Sequence, residues 1–141
     1  MADTNGFPAR GRVRQAEGNQ VVFLPTGTNY ELHLKTGSSY DGPIDQPVHA
    51  TIQMTARKLW TVPSGGNFIA PIFGPPKIVQ GRVRAINGQQ IVVHAGTNFV
   101  INLPSADAAI DLANGAIEVG SLVNVTGNGA TFALGPAPAG A

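Results

Sequence analysis

A chain of 141 residues is long enough for one domain or for two very small ones. Charged residues make up 12% of it, about half the ~25% usual in soluble domains, while Gly (18) and Pro (11) are abundant, so the surface is largely uncharged. A net charge of +1 supplies no global field toward nucleic acid or anionic lipid, and the lack of Cys excludes disulfides, thiolate nucleophiles and Cys-ligated zinc.

No stretch approaches the roughly 18 apolar residues of a membrane-spanning helix, and MADTNGFPARGRV lacks the apolar run of a signal peptide, so a cytoplasmic protein is the default expectation. The first patterned segment, GRVRQAEGNQVVFLPTGTNYELHL, returns after residue 80 as GRVRAINGQQIVVHAGTNFVINL. Gly11-Arg12-Val13-Arg14 matches Gly81-Arg82-Val83-Arg84, Gly18 matches Gly88, and Gly27-Thr28-Asn29-Tyr30 matches Gly96-Thr97-Asn98-Phe99. Internal similarity of this extent reads as a duplicated module.

Within each copy the apolar period is two. Tyr30, Leu32 and Leu34 alternate with polar neighbours as Phe99, Ile101 and Leu103 do, which is the pattern of a half-buried strand. Gly18-Asn19 and Asn87-Gly88 break the runs as hairpin turns, because Gly and Asn tolerate the positive φ of tight turns. Each copy therefore starts as a three-stranded meander. A polar connection follows, 36–46 in copy one and 104–120 in copy two, the second predicting a short helix capped by Ser105. A fourth strand places Ala50 and Ile52 inward, with Val123 and Val125 as their counterparts.

The last strand is expected at Phe68 to Phe73 in copy one and Ala130 to Leu134 in copy two, by alignment of Gly74-Pro75-Pro76 with Gly135-Pro136-Ala137. Copy two closes its final hairpin at Gly127-Asn128-Gly129, whereas copy one carries 12 more residues. These predict an extended β-hairpin arm over about 54–70, turning at Pro63 to Gly66, some 20 Å longer than its counterpart at ~3.3 Å per residue. The arm should protrude and be dispensable for folding. Arg57, Lys58, Leu59, Trp60, Val62 and Phe68 are its candidate partner-binding residues, since aromatic and Arg side chains are favoured interface anchors. An alternative is that the arm folds over the second module and its aromatics fill the joint.

Five short strands, a meander and a connection before strand four resemble an OB-type barrel, and the pattern GxVxxxxGxxxxVxxxGTxxxxxL is similar to small OB-like repeats in bacterial proteins of undescribed function. The resemblance covers residues 8–135 and implies an all-β protein of two tandem five-stranded barrels, 8–76 and 77–135, with a flexible tail at 136–141. SH3-like barrels are the competing fold.

Arg10, Arg12 and Arg14 share one face of the first strand, and Arg82 and Arg84 repeat the last two. This stripe is either a solvated face or, with Arg57 and Lys58, a track for single-stranded nucleic acid. His33, His49 and His94 show no metal-ligand spacing, and there is no nucleophile elbow, phosphate loop or dinucleotide fingerprint. Asp107 and Asp111 have no partner base, and Asn124-Val125-Thr126 is a glycosylation acceptor only in a eukaryotic secretory setting. The expectation is a protein that is not an enzyme and takes no cofactor or metal. It acts as a structural or adaptor protein through a protein partner or self-association, with single-stranded nucleic-acid binding as the alternative.

Overall fold

The computed structural model describes residues 8–37, 39–103 and 117–134, and among them every regular element is a strand. The helical turn expected within 105–114 and the tail at 136–141 lie outside the described residues. The first meander is β1 (Ala9–Glu17), β2 (Gln20–Pro25) and β3 (Glu31–Lys35), followed by β4 (Pro47–Thr55) and β5 (Lys58–Thr61). Two short pieces, β6 (Phe68–Ala70) and β7 (Phe73–Gly74), precede the second meander of β8 (Ile78–Asn87), β9 (Gln90–His94) and β10 (Asn98–Asn102). The chain ends its described part with β11 (Leu122–Thr126) and β12 (Thr131–Leu134).

The two meanders match in detail. Gly18 and Gly88 turn the first hairpin of each at φ 59° and 60°, conformations a side chain resists. Both first strands carry a bulge at the same place, between Val13 and Gln15 and between Val83 and Ala85, where an extra residue bends the strand as barrel closure requires. Gly11 and Gly81 lie where a Cβ would run into the carbonyl oxygen of Leu24 or of His94 on the neighbouring strand.

β1, β2, β3, β12 and β4 form a closed five-stranded barrel, sealed by the antiparallel pairing of β4 with β1 (Ala9 opposite Ala50, Arg12 opposite Pro47). The fourth member, β12, begins 76 residues after the end of β4 and sits parallel to β3 and antiparallel to β4. The remaining strands continue from β4 in the order β10, β9, β8, β11, β5. β4 thus joins both groups. Its first half pairs with β1 and β12, and its end, Gln53 to Thr55, runs parallel to Val100 to Asn102 of β10.

Here the structure departs from the expected hairpin arm. The strands on either side of Pro63 to Gly66 go to different partners, β5 to β11 and β6 to β8. Residues 47–61 instead make one long strand, broken only at Ala56 and Arg57, whose amides donate to Asn102 O (2.9 Å) and Thr126 O (2.7 Å). It runs antiparallel to β11 and β12 in a single register: Ala50 faces Leu134, Gln53 faces Thr131, Lys58 faces Thr126, and Thr61 faces Val123. The counterpart of β12 is therefore β5, with Leu59 matching Phe132 at the spacing that relates Ile52 to Val125. The additional residues of copy one lie after this strand, in 62–77, and not inside a hairpin. Removing 54–68 would strip strand from β10 and β11.

The main core joins both halves of the described chain, and Ala85, Val92 and Val100 form a smaller cluster of their own. Val13, Phe23, Leu32, Leu34 and Ile52 from the first half are fully buried in one cluster with Val79, Ile91, Phe99, Ile101 and Val125 from the second. Phe132 enters the first barrel, its ring 5.3 Å from Phe23 and 6.0 Å from Tyr40. Tyr30 is half-buried against this core and its hydroxyl accepts from Ile69 N at 3.1 Å, whereas Phe99 is completely enclosed. The described residues of 36–46 form no regular element, Gly37, Gly42 and Pro43 breaking the chain there.

Candidate functional site

To pass from β5 to β6 the chain must cross β11 and β8, and residues 62–67 do so over their outer face. Val62 N donates to Leu122 O at 2.8 Å, and Gly66 O accepts from Gln80 Nε2 at 2.9 Å. Gln80, nearly buried, in turn accepts from Asn124 Nδ2 at 3.0 Å. The registers align Trp60, Asn124, Gln80 and Phe68 in one row across four strands, so all four side chains share the outer face. The inner row beneath is Leu59, Val125, Val79 and Ile69.

Trp60 (46% exposed) and Phe68 (37%) stand at the two ends of the outer row, about 14 Å apart at ~4.8 Å per strand. Lys58 joins them on this face through its row with Thr126, Ile78 and Ala70. Leu59 is turned inward against the core, and Val62 is half-buried at the start of the crossing. Of the six predicted partner-binding residues, the structure thus gathers Lys58, Trp60 and Phe68 on one surface, with Arg57 at the strand break beside them.

The arginine stripe is largely engaged. Arg14 Nη2 lies 2.6 Å from Glu31 Oε1, Arg12 Nε lies 3.8 Å from Asp45 Oδ1, and Arg82 donates to Gly120 O at 3.0 Å. Arg12, Arg14 and Glu31 line a hollow of about 490 Å³, and Arg10 lines another of about 400 Å³ with His94 and Asn98. His94 Nδ1 lies 2.8 Å from Asn98 Oδ1, and Asn98 Nδ2 donates to Pro8 O. Among the described residues no three His, Asp or Glu side chains converge as a metal site would require, and no helix is long and apolar enough to cross a membrane. Burial, followed by the Asp41 carboxylate, pushes the Tyr40 phenol above its ordinary value; its hydroxyl donates to Pro43 O at 2.6 Å.

A second set of basic residues, of which the sequence singled out only Arg57, converges where β11 passes into β12. Gly127 N and Gly129 N donate to Lys77 O and Pro76 O there, fixing the turn against the linker. A hollow of about 270 Å³ is lined by Gln20, His33, Lys35, Lys77 and Asn128. A neighbouring one of about 430 Å³ shares Lys35 and residues 128–130 and adds Gln53, Thr55, Arg57, Asn102 and Thr131. A third, of about 420 Å³, shares Arg57 and adds Lys58, Trp60 and Thr126. Lys35, Arg57 and Lys77 stand far apart in sequence, and no motif links them; only the path of β12 between β3 and β4 brings them together. No family model, no curated protein and no solved structure matches this chain.

Proposed function

We propose that the chain is a duplicated OB-like barrel whose copies have exchanged their fifth strands, and that it serves as a non-enzymatic structural or adaptor protein. In this reading β12 completes the barrel of the first copy, while the end of β4 together with β5 completes a second ring with β8, β9, β10 and β11. The exchange ties both copies into one body, so relative motion of the halves would require breaking the shared core. A rigid scaffold of that kind suits a subunit that holds partners at a fixed geometry.

The observation that carries the contact surface is the row from Trp60 to Phe68. Two exposed aromatics stand at the ends of a strand-built row, with the Gln80–Asn124 pair between them and the crossing 62–67 bonded to Gln80. Aromatic anchors on a rigid face lose little entropy on binding, and their truncation commonly costs an interface more than 2 kcal/mol. Self-association is the form of contact to test first. Sedimentation over a wide concentration range should give a mass above one chain for the wild type, and for Trp60→Ser with Phe68→Ser a single-chain mass at unchanged thermal stability. A single-chain mass for the wild type at every concentration would refute self-association through this face.

A second reading is single-stranded nucleic-acid binding. It is supported by Arg57 and Lys58 lining one hollow with Trp60, which pairs cations with a stacking platform. Arg12 and Arg14 contribute less, because each faces a carboxylate. Strongly salt-dependent binding of an oligothymidylate, weakened by Arg57→Gln, is the outcome this reading requires.

A further inference from the structure

The two hollows that share Lys35 bring together three cationic side chains, Lys35, Lys77 and Arg57. Their walls carry Lys35, Lys77, Arg57 and His33 with the amide groups of Gln20, Gln53, Asn102 and Asn128, and no Asp or Glu. The two ion pairs of the described residues lie elsewhere, at Arg12 and Arg14, so neither lysine nor Arg57 is neutralised by a carboxylate. In a chain with nine basic residues and a net charge of only +1, this is a local concentration of positive charge. Such a concentration raises the potential inside a concave surface, where field lines are focused by the walls.

His33 supplies an independent observation. Its ring lies against Phe73, with centroids 4.7 Å apart in an edge-on arrangement, and its Nε2 is buried without a hydrogen-bond partner. A buried polar atom left unpaired is uncommon in folded proteins and calls for a partner. Lys35 and Lys77 in the adjoining hollow carry donors only, so the group that suits the two ammonium groups together is an acceptor with several oxygens. Lysines bind phosphate as point charges and arginine does so in a fork of N–H donors, which suits a ligand carrying more than one phosphate better than a single carboxylate.

We infer that the two hollows meeting at Lys35 form a binding site for a phosphate-bearing anion, held by Lys35, Lys77 and Arg57 with His33 in its wall. This site adjoins the aromatic row at Arg57, which also lines the hollow with Lys58 and Trp60, and it does not depend on the adaptor reading. Each hollow, of about 430 and 270 Å³, has room for linked phosphate groups, and Lys35 with residues 128–130 lines both.

Tripolyphosphate is the probe, titrated calorimetrically and by following the His33 ring signals in NMR spectra of the whole protein. Saturable one-to-one binding is expected, with His33 among the most shifted resonances. Lys35→Gln together with Lys77→Gln should weaken it about tenfold or more, whereas Arg10→Gln, which also removes positive charge but lies in another hollow, should change it less than about twofold. Thermal melting of each variant distinguishes lost binding from lost folding. An oligothymidylate of about 12 nucleotides forms the second arm. If it binds with the same dependence on Lys35 and Lys77, the phosphates are those of a phosphodiester chain; if only tripolyphosphate does so, they belong to a small free ligand. Absence of saturable binding by both probes, or an equal loss in Arg10→Gln, would overturn the site.

Discussion

Truncating Phe132 to Ala separates the exchanged-strand arrangement from two barrels laid end to end. Phe132 is 4% exposed and packs against Phe23 and Tyr40, both belonging to the first half of the chain. Phe-to-Ala changes in such settings cost about 3–5 kcal/mol, from lost burial plus the cavity left behind. For a protein of this size, with total stability on the order of 5–15 kcal/mol, that loss should move the urea midpoint far down while leaving the native fold populated in water. The location of the damage is more telling than its size. Amide shifts and early hydrogen exchange should spread over β1, β2 and β3, more than 90 residues away in sequence, while β9 and β10 change less. A disturbance confined to β8–β11, with the first meander untouched, would refute the reasoning.

Three other outcomes follow from the geometry. Gly11→Ala and Gly81→Ala should each destabilise by a few kcal/mol, since a Cβ at either position meets a carbonyl oxygen of the paired strand; urea melts that match wild type would contradict this. Tyr30→Phe should cost about 1–3 kcal/mol by leaving Ile69 N without its acceptor, and local exchange at Ile69 should accelerate. Gln80→Leu removes both the bond to Gly66 O and the acceptor of Asn124, so it should loosen residues 62–67, detectable as faster proteolysis at 63–66, with little change in β1–β3.

The meanders were legible because their information is local. Period-two alternation placed Val13, Leu32 and Leu34 inward with Val83, Ile101 and Leu103, and paired glycines marked the turns at Gly18 and Gly88. Strand partnership is a different kind of information. Alternation tells which face a residue occupies but not which strand lies beside it, so KLWT could be seen as strand without revealing β11 as its neighbour. The Gly-Pro-Pro match drew the last strand of copy one to 68–73, whereas continuing the spacing of Ile52 and Val125 without a gap would have set Leu59 opposite Phe132 and placed the added residues after it. The basic hollows left little local trace, since Lys35 and Lys77 are isolated lysines and Arg57 reads as part of the Arg57-Lys58 pair until β12 passes between β3 and β4.

The central claim is the strand exchange, and a cross-link tests it most directly. Gln53 and Thr131 are exposed and lie opposite each other in the pairing of β4 with β12, at a separation antiparallel partners and disulfides share, and the chain has no cysteine of its own. Gln53→Cys with Thr131→Cys, oxidised under dilute conditions and read by mass spectrometry and a melt, should form an intramolecular disulfide in nearly every molecule without loss of the fold. Two free thiols after oxidation, in a protein that is otherwise folded, would show that β12 does not complete the barrel of the first half.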